Sequence, residues 1–88
     1  TLSISTTNTW TGAAGSAGVG YWDVPGNWSC GIVPTVYHNV VIPSAATAPN
    51  QPSIRNKATY GIATCKTINI NNGATLTNLA GGELQVID

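Results

Sequence analysis

Charged side chains are scarce in this chain of 88 residues, which has three Lys or Arg, three Asp or Glu and no formal net charge. Charged residues make up 7% of the sequence, whereas an average soluble domain has about 25%. So few cations exclude the basic surface that nucleic-acid binding or a polybasic membrane patch requires. No apolar run approaches the roughly 18 residues of a spanning helix, so we predict no membrane insertion.

Methionine and phenylalanine are absent, and the strong helix formers Leu and Glu number only four and one. By contrast, 12 Thr, 8 Ile and 7 Val are β-branched, and such side chains favour a pleated sheet. The 10 Gly and 5 Pro interrupt every window long enough for a helix. The composition therefore predicts one all-β module over residues 1–88, either a small β-sandwich or a short β-solenoid-like module, with no substantial helix.

The first predicted strand lies at the N terminus, where Leu2 and Ile4 alternate with serines. This terminal strand, within residues 1–8, either closes the module's own sheet or is exchanged with a neighbour. A second strand is predicted over residues 36–42, and short strands are predicted near Ile54 and Ile62. Residues 12–20 and 44–52, which are rich in Gly, Ala, Pro and Asn, are predicted to be loops.

Residues 66–88 contain a strand repeat with a period of about eight, in which Ile68, Leu76 and Leu84 fall in register. Two arrangements fit this repeat. An antiparallel meander with a three-residue loop at 71–73 places Ile68 opposite Leu76, and we prefer it. The alternative is a set of successive sides of a β-solenoid coil.

Two cysteines, Cys30 and Cys65, and one histidine are too few ligands for a structural zinc site. We predict that the cysteines form a disulfide, although two separate buried thiols are the alternative. Closing a loop of about 36 residues would contribute roughly 4 kcal/mol. A disulfide implies an oxidising compartment, so the protein is expected to be extracellular or at a cell surface.

Catalytic side chains are nearly missing from the sequence. Asp23 and Glu83 are the only acids apart from the terminal Asp88, and nothing in their spacing pairs them for glycoside hydrolysis. The sequence contains no Gly-x-Ser-x-Gly motif that would supply a serine nucleophile for which His38 could act as the general base. We therefore predict that the protein is not an enzyme and needs no cofactor or metal.

The aromatic residues support two interpretations. Tyr21 and Trp22 flank the glycine-rich loop and are candidates for stacking on a glycan, and Asn27-Trp28-Ser29 satisfies the N-glycosylation pattern at Asn27. However, a chain without Phe or Met must fill its core with other large side chains. We therefore expect most of the aromatic rings to be core residues.

Several short motifs occur in a set order: Thr9-Trp10-Thr11-Gly12, Trp22, Gly26-Asn27-Trp28-Ser29-Cys30-Gly31, Val33-Pro34-Thr35, Val40-Val41-Ile42-Pro43, Cys65-Lys66, Ile68-Asn69-Ile70 and Gly73-Ala74-Thr75-Leu76-Thr77. This order resembles a β module of large secreted surface proteins of the Bacteroidota, often exported by type IX secretion. The resemblance covers residues 9–86 and implies a non-catalytic, extracellular module with paired cysteines. Relatives carry acids where this chain has His38 and Asn39, so a cation site of those acids is not implied here.

Assembly is the function that these observations favour. The terminal strand of Leu2 and Ile4 belongs to a stretch that runs from Thr1 to Trp22 without a charge, and charges are what usually blunt edge strands. We expect a structural module that pairs its strands with copies of itself or with adjacent modules, in a filament or a tandem array. The alternative is a carbohydrate-binding module that uses exposed aromatic rings.

Overall fold

The computed structural model describes residues 6–87, which form eight short strands, a four-residue helix and a three-residue 3-10 turn. The strands are β1 (Thr6–Thr9), β2 (Val19–Tyr21), β3 (His38–Ile42), β4 (Gln51–Ile54), β5 (Ala63–Cys65), β6 (Thr67–Ile70), β7 (Thr77–Asn78) and β8 (Leu84–Val86). The all-β prediction is confirmed. The predicted terminal strand with Leu2 and Ile4 lies outside the described residues.

The strands form three parallel sheets, ordered β1-β3-β6, β2-β4-β7 and β5-β8. Each sheet takes its strands from successive passes of the chain, which is the arrangement of a short β-solenoid. We call residues 6–37 the first coil, 38–65 the second coil and 66–87 the third coil. The solenoid interpretation therefore describes this chain, and the sandwich does not.

The antiparallel meander predicted for residues 66–88 is wrong. β6, β7 and β8 lie in three different sheets, so Ile68 is the register partner of Val40 and does not face Leu76. The eight-residue repeat correctly located strands and turns. It could not show whether each turn reverses the chain or only bends it round a corner of the solenoid.

The helix α1 (Lys57–Tyr60) follows β4, between the two short strands that the sequence predicts near Ile54 and Ile62. The Asn56 side chain caps it by accepting a hydrogen bond from the Ala58 amide at 2.8 Å. Gly61 ends the helix with a φ of 86°, a conformation that glycine adopts readily. No helix within residues 6–87 has the length and apolar character to cross a membrane.

Three tryptophans form the centre of the core. The Trp28 ring meets the rings of Trp10 and Trp22 edge to face, at centroid distances of 5.1 and 4.7 Å. All three are at most 3% exposed and pack with apolar residues of the second coil, Val40, Ile42, Ile54, Ala63 and Cys65. The prediction that the rings form the core is confirmed for the tryptophans, and Trp22 as an exposed glycan-stacking ring is wrong.

The predicted disulfide is also wrong in this structure, where Cys30 and Cys65 are both free thiols. Cys65 faces the core from β5 and is fully buried, and this burial raises the pKa of its thiol. Cys30 lies on the surface after Trp28, where its Sγ donates to the carbonyl oxygen of Thr7 at 3.4 Å. The expectation of an oxidising compartment loses its support from these cysteines.

Candidate functional site

The two ends of the solenoid differ in how their strand edges are covered. On the side of β1 that faces β3, the amides of Thr6 and of Trp10, which follows the strand, donate to the carbonyls of Tyr37 and Val41 at 3.2 and 2.9 Å. Because backbone groups alternate along a strand, Thr7 and Thr9 point their amides and carbonyls away from the solenoid. This outer edge of β1 is one end of the sheet.

Residues 27–30 cover that edge, and we call them the cap segment. The Ser29 amide donates to the Thr9 carbonyl, and the Thr9 amide donates to the Ser29 hydroxyl, both at 2.8 Å. The Thr11 amide donates to the Asn27 carbonyl at 2.7 Å. With the Cys30 thiol on the Thr7 carbonyl, these bonds close the first-coil end.

A tight turn covers the outer edge of β2 in the same way. The backbones of Ser16 and Val19 exchange two hydrogen bonds of 3.0 Å. The turn between them holds Ala17 and Gly18 at φ values of 56° and 81°, the geometry of a two-residue hairpin turn with positive φ at both positions. The glycine-rich segment that the sequence predicts to be a loop is thus a lid on the first coil.

Two buried asparagine side chains fasten the cap segment to the first coil. Asn8 donates to the Ile32 carbonyl at 3.0 Å and accepts from the Cys30 amide at 3.1 Å. Asn27 accepts from the Ala14 amide at 2.8 Å and donates to the Tyr21 carbonyl at 3.1 Å. These two side chains bond backbone groups that no ladder pairs.

The interpretation of Asn27 as a glycan acceptor disagrees with this geometry. Asn27 is 1% exposed, and both ends of its amide are bonded inside the protein. A glycan on Nδ2 has no room in this structure and would break the bond to Tyr21. The acceptor pattern around Asn27 is instead the sequence of the cap segment.

His38 and Asn39, which stand where the resembling module carries acids, have structural partners. The His38 ring nitrogen Nδ1 accepts from the Thr35 amide at 3.0 Å, and His38 is 7% exposed. Asn39 accepts from the Thr67 hydroxyl at 2.8 Å, which links β3 to β6. Within residues 6–87, no three His, Cys, Asp or Glu side chains are grouped closely enough to hold a metal ion.

The third-coil end has no comparable cover among the described residues. β6, β7 and β8 each pair with a second-coil strand on one side and are the last strands of their sheets. In β8 and its flanks, the Glu83 carbonyl accepts from Ala63 at 3.0 Å and the Ile87 amide donates to Cys65 at 2.8 Å. By alternation, the amides of Leu84 and Val86 point away from the solenoid.

The third coil also leaves its apolar side chains incompletely covered. None of the residues 66–87 is buried, although Ile68, Leu76 and Leu84 pack against the core. Further apolar side chains of this coil are between 39% and 50% exposed: Ile70, Leu79, Val86 and Ile87. We call this surface the open end, defined by the outer edges of β6, β7 and β8 and these side chains.

Charge does not protect the open end. The third coil contains two charged residues within the described part, Lys66 and Glu83. The Glu83 carboxylate accepts from Lys57 at 2.7 Å and from Gln85 at 2.6 Å, and these bonds lower the pKa of Glu83. Natural edge strands usually avoid pairing with other chains by carrying charges, and the edge strands β6, β7 and β8 carry few.

Tyr21, the other candidate for glycan stacking, already has a partner. The Arg55 guanidinium lies between the rings of Tyr21 and Tyr60, at 4.0 and 3.7 Å from their centroids. It also bonds the Asp23 carboxylate through two nitrogens, Nε at 3.0 Å and Nη2, and these bonds raise the pKa of Arg55. This arrangement ties the first coil to the second.

The cavities beside Tyr21 do not form a sugar platform. One cavity of about 30 Å³ lies under Arg55 and next to Trp22, and it has room for about one water molecule. The Trp22 Nε1 group, which is buried, has no acceptor among the protein atoms described. An open groove of about 350 Å³ borders the glycine-rich turn, but Tyr21 is its single aromatic residue.

A family of proteins described as a domain of unknown function, DUF8693, matches residues 9–88. The chain belongs to this family. The match includes the cap segment and the open end, so both features lie within the DUF8693 domain, whereas Leu2 and Ile4 precede the match. No curated protein and no solved structure matches the chain.

Sequence reasoning missed the cap of the DUF8693 domain, because its polar anchors do not form a motif. Asn8 and Asn27 are common residue types, and nothing in their spacing shows that they are buried. One signal was available: Trp28 follows the turn-forming Pro25 and Gly26, and a core aromatic just after a turn requires the adjacent backbone to lie against the module.

Proposed function

We propose that the DUF8693 domain is a non-catalytic structural module that joins other β-structure by strand pairing at its open end. The absence of any buried residue between positions 66 and 87 is the observation that carries this proposal. Repeat architectures bury a continuous core by stacking, and their end units must be capped to stay soluble. Here one end has a cap and the other, within the described residues, does not.

Backbone hydrogen bonds supply the affinity in this proposal. The outward amides and carbonyls of β6, β7 and β8 would gain partners, as an edge strand does when a second chain pairs with it. The partly exposed Ile68, Leu76 and Leu84 would be covered by the same contact, and this covering adds hydrophobic stabilisation. With few charges on this end, little repulsion opposes the approach.

An extracellular or cell-surface setting is part of the proposal. It is supported by the order of Trp, Gly and Val-Val-Ile motifs that resembles secreted surface modules, and by the threonine- and asparagine-rich composition. The partners proposed are copies of the module or adjacent modules. When the protein is isolated, the open ends of two molecules expose matching groups, so we expect it to self-associate through that end.

Two pairs of matched substitutions test this proposal. Ile70→Lys and Val86→Lys place a charge on the open end, at residues that are 45% and 47% exposed. Ile32→Lys and Val19→Lys do the same on the first coil, at residues that are 49% and 44% exposed. Because exposure and chemistry are matched, the pairs differ only in which part of the solenoid is charged.

Analytical ultracentrifugation over a concentration series measures the outcome. We expect the wild type, Ile32→Lys and Val19→Lys to associate alike, and Ile70→Lys and Val86→Lys to remain monomeric at concentrations about tenfold higher. Circular dichroism checks that every variant is folded. A wild type that stays monomeric at millimolar concentration, or association that only the first-coil variants abolish, would contradict the proposal.

A further inference from the structure

We propose that the open end is built to receive one more parallel β-solenoid coil with the repeat of the third coil. This inference rests on the proposed function and specifies the partner: a coil about as long as the third coil, with one apolar inward side chain on each of its three sides. It follows from the register of the existing coils, from their lengths and from the closure of the opposite end.

The existing contact between the second and third coils gives the geometry. All three sheets pair these coils in parallel, with partners such as Val40 and Ile68 in one sheet and Ala63 and Leu84 in another. The edges of β6, β7 and β8 run in the same direction, and β6 and β8 repeat the apolar inward positions of their partner strands. A further parallel coil would continue three interfaces that the protein already uses.

The solenoid becomes more regular towards the open end. Between the first and second coils, register partners are widely separated in sequence, as in Thr6 with His38 and Val19 with Gln51. Between the second and third coils the separation is shorter in every sheet, as shown by Asn39 with Thr67, Ser53 with Thr77, and Ala63 with Leu84.

This shortening reflects the connections between strands. The long connections that close the first coil, the glycine-rich lid and the cap segment, have no counterpart in the third coil. Each side of the third coil is therefore a short strand followed by a short turn, which is the form that a repeating solenoid coil takes.

The inward side chains of the third coil set the spacing that a partner must match. Ile68, Leu76 and Leu84 follow one another at the period of eight, one for each side of the coil, and each packs against the core while it stays partly exposed. A coil with the same spacing would place an apolar side chain over each of them. Terminal units of solenoids are atypical and inner units are regular, and the third coil has the character of an inner unit.

A second copy of the chain fits the open end less well. Its first-coil edge is closed by the cap segment and by the Ser16–Val19 turn, so it cannot add a parallel coil head to tail. Its own open end could meet this one only with the strands antiparallel. Such a contact would not continue the three rows of inward side chains that start at Ile68, Leu76 and Leu84. An antiparallel second copy is therefore the competing occupant, and the experiment must distinguish it from a parallel coil.

The experiment repeats residues 67–88 directly after position 88 of the full chain. We expect the added coil to raise the melting temperature by about 5 °C or more. We also expect exchange of the Leu84 and Val86 amides to slow by about tenfold or more at every protein concentration. A control extension carries Asn at the three positions copied from Ile68, Leu76 and Leu84, and it should change neither quantity.

A second measurement does not depend on the stability of the extension alone. Ile68→Ala should lower the melting temperature more in the extended chain than in the original chain, because Ile68 would then be covered on both sides. An equal loss in the two chains would overturn the inference. So would an extension that leaves the Leu84 and Val86 amides unprotected, or protection that appears only as concentration rises, which would identify an antiparallel second copy.

The two proposals fail in different ways. If the extension does not protect the third coil while Ile70→Lys still abolishes association, the parallel coil is wrong and strand pairing at the open end stands. If the original chain never associates but the extension folds on the third coil, self-association is wrong and the parallel coil stands.

Discussion

The first-coil and third-coil ends of this solenoid both present the outer edges of parallel strands. Other segments of the chain cover these edges at the first-coil end, whereas no described residue covers them at the third-coil end. At the first-coil end, the cap segment bonds both outward groups of Thr9 and the carbonyl of Thr7, at distances such as 2.8 Å between Ser29 and Thr9. At the third-coil end, the outward amides of β8 face away from the protein. The comparison shows that a small β-solenoid can close an end without adding another strand.

The chemistry of the closed end explains how. Asn8 and Asn27 lie at 0% and 1% exposure and bond main-chain groups that have no ladder partner. The Trp28 ring, which follows Asn27 in the cap segment, brings apolar surface into the core. The polar and apolar parts of the cap therefore depend on each other, whereas no buried polar side chain anchors the third coil within residues 66–87.

The largest expected effect comes from removing the apolar anchor of the cap. Trp28→Ala should lower the free energy of unfolding by about 3–5 kcal/mol, because it empties the centre of the tryptophan cluster. Leu84→Ala at the open end should cost only about 1 kcal/mol, because Leu84 is already partly exposed. Urea denaturation followed by circular dichroism measures both.

Since Trp28→Ala could unfold so small a domain, Trp28→Phe serves as a milder variant. It keeps an aromatic ring and removes the hydrogen bond from Nε1 to the Trp22 carbonyl, which measures 2.7 Å. We expect a loss of about 1–2 kcal/mol. A loss at Leu84 equal to that at Trp28 would break the distinction between the two ends.

The polar anchors should show the next largest effect. Asn27→Ala leaves the Ala14 amide without its acceptor and the Tyr21 carbonyl with only the Val24 amide, so we expect a loss of about 1–3 kcal/mol. The matched control is Asn78→Ala in β7, whose exposed side chain bonds the Gly82 carbonyl at 3.1 Å, and we expect a change within about 0.5 kcal/mol. The same denaturation assay compares the two, and a neutral Asn27→Ala would show that the cap does not need this anchor.

The two thiols allow the surface of the cap and the core of the solenoid to be compared without a substitution. Cys30 is exposed on the cap, and Cys65 is buried with a raised pKa, so Cys65 must be uncovered before its thiolate can react. We expect native Cys30 to react with a thiol reagent about tenfold or more faster than Cys65, and both to react alike in denaturant. Slow modification of both thiols, or mass evidence for a disulfide, would contradict this structure.

The smallest expected effect is a pH dependence at the open end. Because its bonds to Lys57 and Gln85 lower the pKa of Glu83, its contribution to stability is present above the usual glutamate pKa of about 4.3. That contribution is lost as the pH falls through the lower value in the folded protein. Glu83→Gln should flatten the decline of melting temperature on the acid side, and an unchanged slope would show that the surface pair is negligible.

Composition and alternation are sufficient to predict the all-β class and the strand observed as β3. These features depend on local preferences. The direction of strand pairing depends on distant partners, because a glycine turn after Ile70 can form either a hairpin or a solenoid corner. The eight-residue repeat alone could not decide between them.

The errors at individual residues share a physical cause. The sequence-based predictions consider only what each side chain can do in isolation, and this holds for Trp22, Asn27, Cys30 and Cys65. Burial decides which of those abilities is used: it places Trp22 in the core, makes Asn27 an internal anchor and separates the thiols. The open end is harder to predict from the sequence, because a strand can be identified as an edge strand only when the pairing of all the other strands is known.

The central claim is that one end of the solenoid is closed and the other is open, and the most direct test compares two amides by residue-resolved hydrogen exchange. Thr9 donates to the Ser29 hydroxyl on the closed edge, and Val86 lies on the outer edge of β8. In dilute, monomeric protein we predict that the Thr9 amide is protected and that Val86 exchanges at nearly the rate of an unstructured chain. Equal protection of Val86 and Thr9 would contradict the account.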